Sequence, residues 1–501
     1  MATTDAWWSY AREPEYDVVG TTVDVPVRDG ITIACELRRP ARDGEPVAGE
    51  FPCLVVEFTP YAVLRDFFLG EADYFVRRGY VALVPLLRGI GRSGGAWNYG
   101  SFRESGRDAH DIIEWLAAQP FSNGRIGMFG ESYGGQTSYS AALERPQHLL
   151  AIAPMQSPSS LYFDVIYPGG IKTTERGDVD NWPDIANLTS EGVIDADAEF
   201  AANRAHDTFD DFWRERAFVD VLDAITIPVL AVGGWSDMYF RSGTIANIEA
   251  LADCTWAVYG PWNHYFPVAI TEEPVVIAEH EHAPDMTDAP QLRPGILLAW
   301  FDHWVGEVDG VPVPAAPTFT SFEGPAGVGA GWVEVGDWRS ASTVGPAVEV
   351  DIDGPATLRQ SGDDRDDVTF TSAPLARDEV LVGHPSLTFR ASLDADDAHF
   401  YVELLDVDAD GAETLVNDGH LKASHRASHT EPAPVPVGEV VEYRVPIRPQ
   451  HHRFVAGHRV RVRLGGGLPT KLAAPPAPVT ITLEPGAAVT LGLPGFAGDG
   501  S

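Results

Sequence analysis

Basic charge is scarce in this sequence. Its 501 residues carry 35 Lys and Arg against 73 Asp and Glu, a formal net charge of −38. Lys172, Lys422 and Lys471 are its lysines, and the other basic residues are arginines. No basic stripe is visible, which disfavours nucleic acid as a ligand. The acids are spread along the whole chain, so one acidic face for a basic partner is the weaker reading of the imbalance. Acidic, lysine-poor composition is that of proteins from a high-salt cytoplasm, where screening relieves the self-repulsion. Cysteine is also scarce. Cys35, Cys53 and Cys254 are too few and too scattered for a disulfide framework or a cysteine metal site. No apolar run approaches the length that spans a bilayer. Met1 to Tyr16 has neither a basic n-region nor an apolar h-region. The expectation is a soluble, cytoplasmic protein without a membrane partner. A homo-oligomer is allowed but not indicated.

The length suggests two to three domains, and an apolar content of 44% is ordinary. The first part alternates strands and helices. Residues 31–39, 53–58 and 80–87 read as strands, the last (YVALVPLL) as a buried parallel one. Ser105 with Asp108 resembles a capping box, and Ala109, Ile112, Ile113 and Leu116 recur at helical spacing. A strand over 125–130, a helix to about Leu143 and a strand over 149–154 follow. This βαβ alternation predicts a mostly parallel sheet covered on both faces. From 157 to 224 aromatic residues lie among many acids without an obvious strand, which predicts a mainly helical insertion. The sheet resumes at 227–233 and 255–259, and a helix at 296–304 closes this part. After about Pro346 the pattern is all-β. Val460, Val462 and Leu464 alternate with Arg459, Arg461 and Arg463, and 386–393, 400–406 and 440–447 are similar. Short strands separated by turn residues predict a sandwich or jelly roll.

Gly130-Glu131-Ser132-Tyr133-Gly134 fits G-x-S-x-G between a predicted strand and a small-residue helix. That context is the nucleophile elbow of the α/β-hydrolase fold. A lone serine is a poor nucleophile and needs a base. The order in this fold is Ser, acid, His. Asp237 follows one strand through Gly234-Trp235-Ser236, and His264 follows the next in Gly260-Pro261-Trp262-Asn263-His264. Both fall just past the carboxyl ends of strands, where such sheets gather their sites. Ser132, Asp237 and His264 are therefore the candidate catalytic residues, and no cofactor or metal is called for.

With these stretches in hand, the chain resembles the X-Pro dipeptidyl-peptidase and cocaine-esterase-like (CocE/NonD) acyl hydrolases. The matching segments are Phe58–Tyr61 (FTPY), Arg88–Gly95 (RGIGRSGG), Gly127–Gly135 (GMFGESYGG), Gly233–Asp237 (GGWSD), Gly260–His264 (GPWNH) and Leu298–Gly306 (LAWFDHWVG). Leu404–Gly411 and Asn417–Arg426 match as well. The resemblance implies an α/β-hydrolase catalytic domain over 1–156 and 225–310, a helical cap over 157–224, a linker over 311–345 and a C-terminal jelly roll over 346–501. It also implies an oxyanion hole made by the Tyr61 hydroxyl and the Tyr133 backbone N–H. Without it, Tyr61 reads as an ordinary loop aromatic. One position departs: Leu86 stands where the family often has Asp, three residues before the first glycine of its RG-x-G segment.

Three other patterns compete for attention. Gly89-Ile90-Gly91-Arg92-Ser93-Gly94 fits G-x-G-x-x-G, but it does not follow the first strand, and a structural loop is the better reading. Asp406–Gly411 copies the start of an EF-hand loop, yet its twelfth position is Asn417 rather than Glu and strands flank it, so a turn is expected. Glu279-His280-Glu281-His282 lacks a third ligand and reads as a solvated acidic loop. The predicted reaction is acyl transfer from a small ester or short peptide to water, with an acyl esterase favoured. An X-Pro dipeptidyl-peptidase is the alternative, and a non-catalytic binding protein on a hydrolase scaffold is the reading from another class.

Overall fold

Two strands that are apolar at every position set the centre of the molecule. In the computed structural model, Cys53, Leu54, Val55 and Val56 on one strand and Val81, Ala82 and Leu83 on the next are wholly buried. Burying such side chains contributes about 1.5–3 kcal/mol each, which only a sheet covered on both faces allows. The structure describes residues 6–173, 189, 195–218, 220–264, 292, 294–323, 331–336, 347–353, 356–361, 364–465, 472–475 and 477–490. They fall into two units, one drawn from Met1–Ser159, Pro183–Ala196 and Glu215–Thr320, the other from Ser160–Trp182, Asp197–Arg214 and Ser321–Ser501.

The first unit runs β1 (Asp17–Pro26), β2 (Thr32–Arg42), β3 (Phe51–Val56), α1 (Arg65–Val76), β4 (Val81–Pro85), α2 (Phe102–Ala117), β5 (Ser122–Glu131), α3 (Tyr133–Leu143) and β6 (Leu149–Met155). After a long excursion come β7 (Val229–Gly234), α4 (Arg241–Ala250), β8 (Thr255–Gly260) and α5 (Gly295–Trp304). These strands are ordered β1-β2-β4-β3-β5-β6-β7-β8 within a larger sheet. The first two ladders are antiparallel and the rest parallel. This is an α/β-hydrolase sheet. The chain moves from β3 outward to β4 and then returns across β3 to β5. The carboxyl ends of β3 and β5 are thus a switch point, where such sheets open a crevice.

Two details differ from the sequence expectation. Helix α2 begins three residues before Ser105, so Ser105 and Asp108 form no capping box. Ser105 Oγ instead donates back to the Ser101 carbonyl at 3.0 Å. Asp108 receives a bidentate pair from Arg88, at 2.7 and 2.6 Å. The N-terminal β1 and the helix α1 were not anticipated at all. On β1 only Val25 is buried, too little to show a period. The G-x-G-x-x-G segment is a folded loop. Gly89 has φ +74°, and a Cβ there would lie 2.5 Å from the Trp97 amide nitrogen. Ser93 Oγ bridges the Ala34 N–H and the Leu86 carbonyl, at 3.0 and 2.9 Å. Leu86 thus joins the loop through its backbone.

Among the described residues of the second unit, the strand ladders are antiparallel. Ala347–Asp353 pairs with Ala487–Thr490 through its first residues and with Asp367–Thr371 through its last. It thereby passes from one layer of strands to another. Inward side chains of both layers, among them Phe389, Phe400, Tyr443, Val460, Val462 and Leu464, share one core, as in a sandwich. The alternation at 459–464 is a strand, Arg459–Gly465, and 386–393 is the strand Ser386–Leu393. Asp406–Gly411 lies at a hairpin, where Asp408 Oδ1 accepts the amides of Asp410 and Ala412 at 2.9 and 2.8 Å. Within 157–224 the described helical elements are Tyr162–Ile166, Pro168–Gly170, Ala196–Ala205, Asp211–Arg214 and Leu222–Ala224. Tyr162 stacks on Tyr167 there, with ring centroids 5.2 Å apart.

Candidate active site

Ser132 joins β5 to α3 with φ 58° and ψ −112°, a left-handed conformation that is costly for any residue with a Cβ. The turn is held on both sides: the Ser132 N–H donates to Met155 at the end of β6 (2.9 Å), and its carbonyl accepts the Gln136 N–H (3.0 Å). This geometry lifts the hydroxyl above the carboxyl edge of the sheet. Ser132 Oγ lies 3.0 Å from His264 Nε2. His264 Nδ1 lies 3.1 Å from Asp237 Oδ2. The second Asp237 oxygen accepts the backbone N–H groups of Tyr239 and Phe240, at 2.8 and 3.1 Å. The structure therefore brings the three residues picked from the sequence into one hydrogen-bonded line, although they come from three separate strand ends.

The imidazole is walled by the rings of Tyr239 and Phe240, both edge-on, with centroids 4.8 and 5.0 Å away. Tyr61 precedes a short helical turn, Ala62–Leu64, and its hydroxyl lies near Ser132. Burial, with Tyr133 nearby, pushes the Tyr61 phenol well above its ordinary value, so it stays a neutral donor. The rings of Tyr61 and Tyr133 meet edge to face, 6.2 Å apart. Tyr133 is the first residue of α3, so its backbone N–H has no acceptor within the helix. Its own phenol is raised by burial and accepts the Trp97 indole N–H at 3.2 Å.

Sequence reasoning missed Gln156. It follows β6 with φ +44°, is fully buried, and its N–H donates to Val232 at 2.7 Å. Its side-chain amide donates to the carbonyl of Asn263, the residue before His264. Gln156 thus ties the histidine loop to the sheet next to the elbow. Its position directly past a strand end was the only available signal.

Among the described residues no group of three or more His, Cys, Asp and Glu side chains is placed to hold a metal ion. Glu279–His282 lies outside the described residues. None of the described helices is long and apolar enough to cross a membrane.

Residues 29–266 match the model of the X-Pro dipeptidyl-peptidase (S15) family, and residues 312–492 that of the X-Pro dipeptidyl-peptidase C-terminal non-catalytic domain. A cocaine esterase from Rhodococcus sp. (strain MB1 Bresler) is 27% identical over 89% of this chain and 90% of its own length. A putative Xaa-Pro dipeptidyl-peptidase from Streptomyces avermitilis is 24% identical over 69% of this chain and 55% of its own. The crystal structure of an aminopeptidase from a marine sediment Thaumarchaeota archaeon superposes with a TM-score of 0.73 at 19% identity, covering 96% of this chain and 97% of that one. With both family models matched in tandem over most of its length, the chain belongs to the X-Pro dipeptidyl-peptidase (S15) family and is a serine acyl hydrolase.

Proposed function

We propose that this enzyme is an acyl esterase in which Ser132 is the nucleophile, His264 the general base and Asp237 its orienter. The observation that carries the reading is the line from Ser132 Oγ through His264 to Asp237, at 3.0 and 3.1 Å. Ser132 attacks the ester carbonyl while His264 Nε2 takes its proton. Negative charge then develops on the carbonyl oxygen, and the Tyr61 hydroxyl and Tyr133 N–H stabilise it. His264 returns the proton to the leaving group, and water repeats the sequence to release the acid.

Tyr61 tests the oxyanion half of this scheme. A donor that meets the oxygen mainly in the transition state affects kcat more than KM. Tyr61→Phe is expected to lower kcat by about 10²–10³ with little change in KM. Steady-state kinetics separate the two, and a change confined to KM would reduce Tyr61 to a substrate contact.

An ester is an easier acyl donor than an amide, and among the described residues the rings of Tyr239 and Phe240 pack on the His264 imidazole while that of Tyr61 meets Tyr133. Both favour esters over X-Pro peptides. We also propose a high-salt cytoplasm as the working environment, on the charge of −38 and the three lysines. At 0.1 M salt the Debye length is about 10 Å, so neighbouring carboxylates repel, whereas at 1 M it is about 3 Å. One experiment addresses substrate and salt together. kcat/KM is measured on p-nitrophenyl esters and on Ala-Pro-p-nitroanilide from 0.1 M to several molar KCl, with a melting curve at each salt. The expected result is a higher value on the esters and a melting temperature that rises with salt. A preference for the anilide would favour the dipeptidyl-peptidase, and a flat melting temperature would remove the high-salt reading.

A further inference from the structure

The strand β3 ends at Val56, and the next residue, Glu57, combines two costly features. Its φ is +49°, and its side chain is buried, 3% exposed. A glycine would accept that backbone freely, so the retained carboxyl needs contacts that offset the strain. Such contacts lie on the elbow. Glu57 Oε1 accepts the N–H of Glu131, the residue before Ser132, at 2.8 Å. Its other oxygen occupies the hollow left by two glycines of the G-x-S-x-G motif. A Cβ on Gly134 would lie 2.2 Å from it, and one on Gly130 3.0 Å. In this chain the motif's small residues thus make room for a carboxyl group as well as for the close approach of helix to strand.

We propose that Glu57 is a positioning residue for acyl transfer: its carboxyl, seated against Gly130 and Gly134 and bonded to the Glu131 amide, fixes the turn that presents Ser132 and the Tyr133 N–H. The proposal rests on Ser132 being the nucleophile.

The ionisable groups facing Glu57 reinforce the role. Glu71, on α1, acts on it through its charge and is itself buried, and its Oε2 has no hydrogen-bond partner among the described residues. Burial raises the proton affinity of both carboxyls, and Glu71 raises that of Glu57 further. Glu131 does the same to Glu71. Tyr61 also feels Glu57. A neutral carboxyl in this position adds no charge beneath the site where the oxyanion forms. As pH rises through the raised carboxyl range, a carboxylate appears there, opposes the oxyanion and is repelled by Glu71, with the Glu131 N–H as the group that favours it.

Two variants and one control test this. Glu57→Gln keeps an acceptor for the Glu131 N–H and cannot ionise, whereas Glu57→Ala loses the acceptor and leaves the hollow empty. Glu57→Ala is expected to lower kcat on the order of a hundredfold, the effect of misplacing reacting groups by about 1 Å, with KM little changed. Fluorophosphonate labelling of Ser132 should slow in parallel. The wild type is expected to lose kcat as pH rises through the raised carboxyl range, and Glu57→Gln is expected to retain most of kcat without that decline. Wild-type labelling and turnover in Glu57→Ala would overturn the proposal. So would an alkaline decline in Glu57→Gln equal to that of the wild type, and this comparison decides alone if Glu57→Ala does not fold. A Ser132→Ala control that still turned over would remove the nucleophile reading and this proposal with it, a failure that the Glu57 variants by themselves do not produce.

Discussion

Ser132→Ala is expected to abolish hydrolysis while leaving the fold in place. In an unrelated serine hydrolase, loss of the nucleophile costs on the order of a millionfold in kcat, with a residual of about 10³–10⁴ over water from the oxyanion hole and binding. The same residual is expected here, because Tyr61 and the Tyr133 N–H are untouched by the substitution. Stability should change little. Alanine carries the same Cβ as serine, so the left-handed backbone at 132 is no more strained than before. The bonds that hold the turn, to Met155 and Gln136, are made by backbone groups and survive. What is lost is the hydroxyl that meets His264. The measurement is turnover of a p-nitrophenyl ester by the purified variant, alongside its melting curve and its labelling by a fluorophosphonate. Retention of more than about a tenth of the activity would exclude Ser132 as the nucleophile.

The parts of this molecule that were legible in the sequence share a physical property. The strands around 80–87 and 459–464 announce themselves because burial on two faces, or on one, writes a run or an alternation into the residues. The elbow is legible because a tight strand-to-helix turn demands glycine on both sides of the serine. Asp237 and His264 are legible by their order and by following strands. Tyr61 was reached only through family resemblance, since a tyrosine in a loop carries no local signature. Gln156 and Glu57 were not reached at all. Each is a polar side chain buried by contacts with segments distant in the chain. Gln156 meets Asn263, 107 residues on, and Glu57 meets Glu131, 74 residues on. Neither relation leaves a period or a motif. Both residues do share a left-handed backbone just beyond a strand end, at φ +44° and +49°. That strain is visible only once the coordinates are known, and here it marks the supports of the site.

Asp237→Asn is expected to lower kcat by about 10⁴-fold, less than removal of the nucleophile but a large loss for a change of one atom. The reason lies in how the carboxylate is divided. Oδ1 accepts two backbone N–H groups, from Tyr239 and Phe240, and Oδ2 faces His264 Nδ1. An asparagine must keep its carbonyl oxygen towards the two N–H groups, since turning it round would set its NH₂ against both donors. The NH₂ therefore points at His264 Nδ1 and donates to it. Nδ1 can then no longer carry the proton, which moves to Nε2. An Nε2–H donates to Ser132 Oγ and cannot accept its proton, so the base is in the wrong tautomer for attack. The loss of the carboxylate also removes the charge that stabilises the imidazolium formed as the serine is deprotonated. In a serine protease of unrelated fold the equivalent change lowers kcat about 10⁴-fold with the geometry intact, and a drop of that order is expected here. KM should be nearly unchanged, because Asp237 is buried behind the imidazole and out of reach of substrate. The melting temperature should also hold, since the two bonds to Oδ1 remain. Kinetics of the purified variant, with fluorophosphonate labelling as a measure of serine reactivity, give the answer. A kcat within about tenfold of the wild type would show that Asp237 does not set the tautomer of His264, and another carboxylate would have to be sought as its partner.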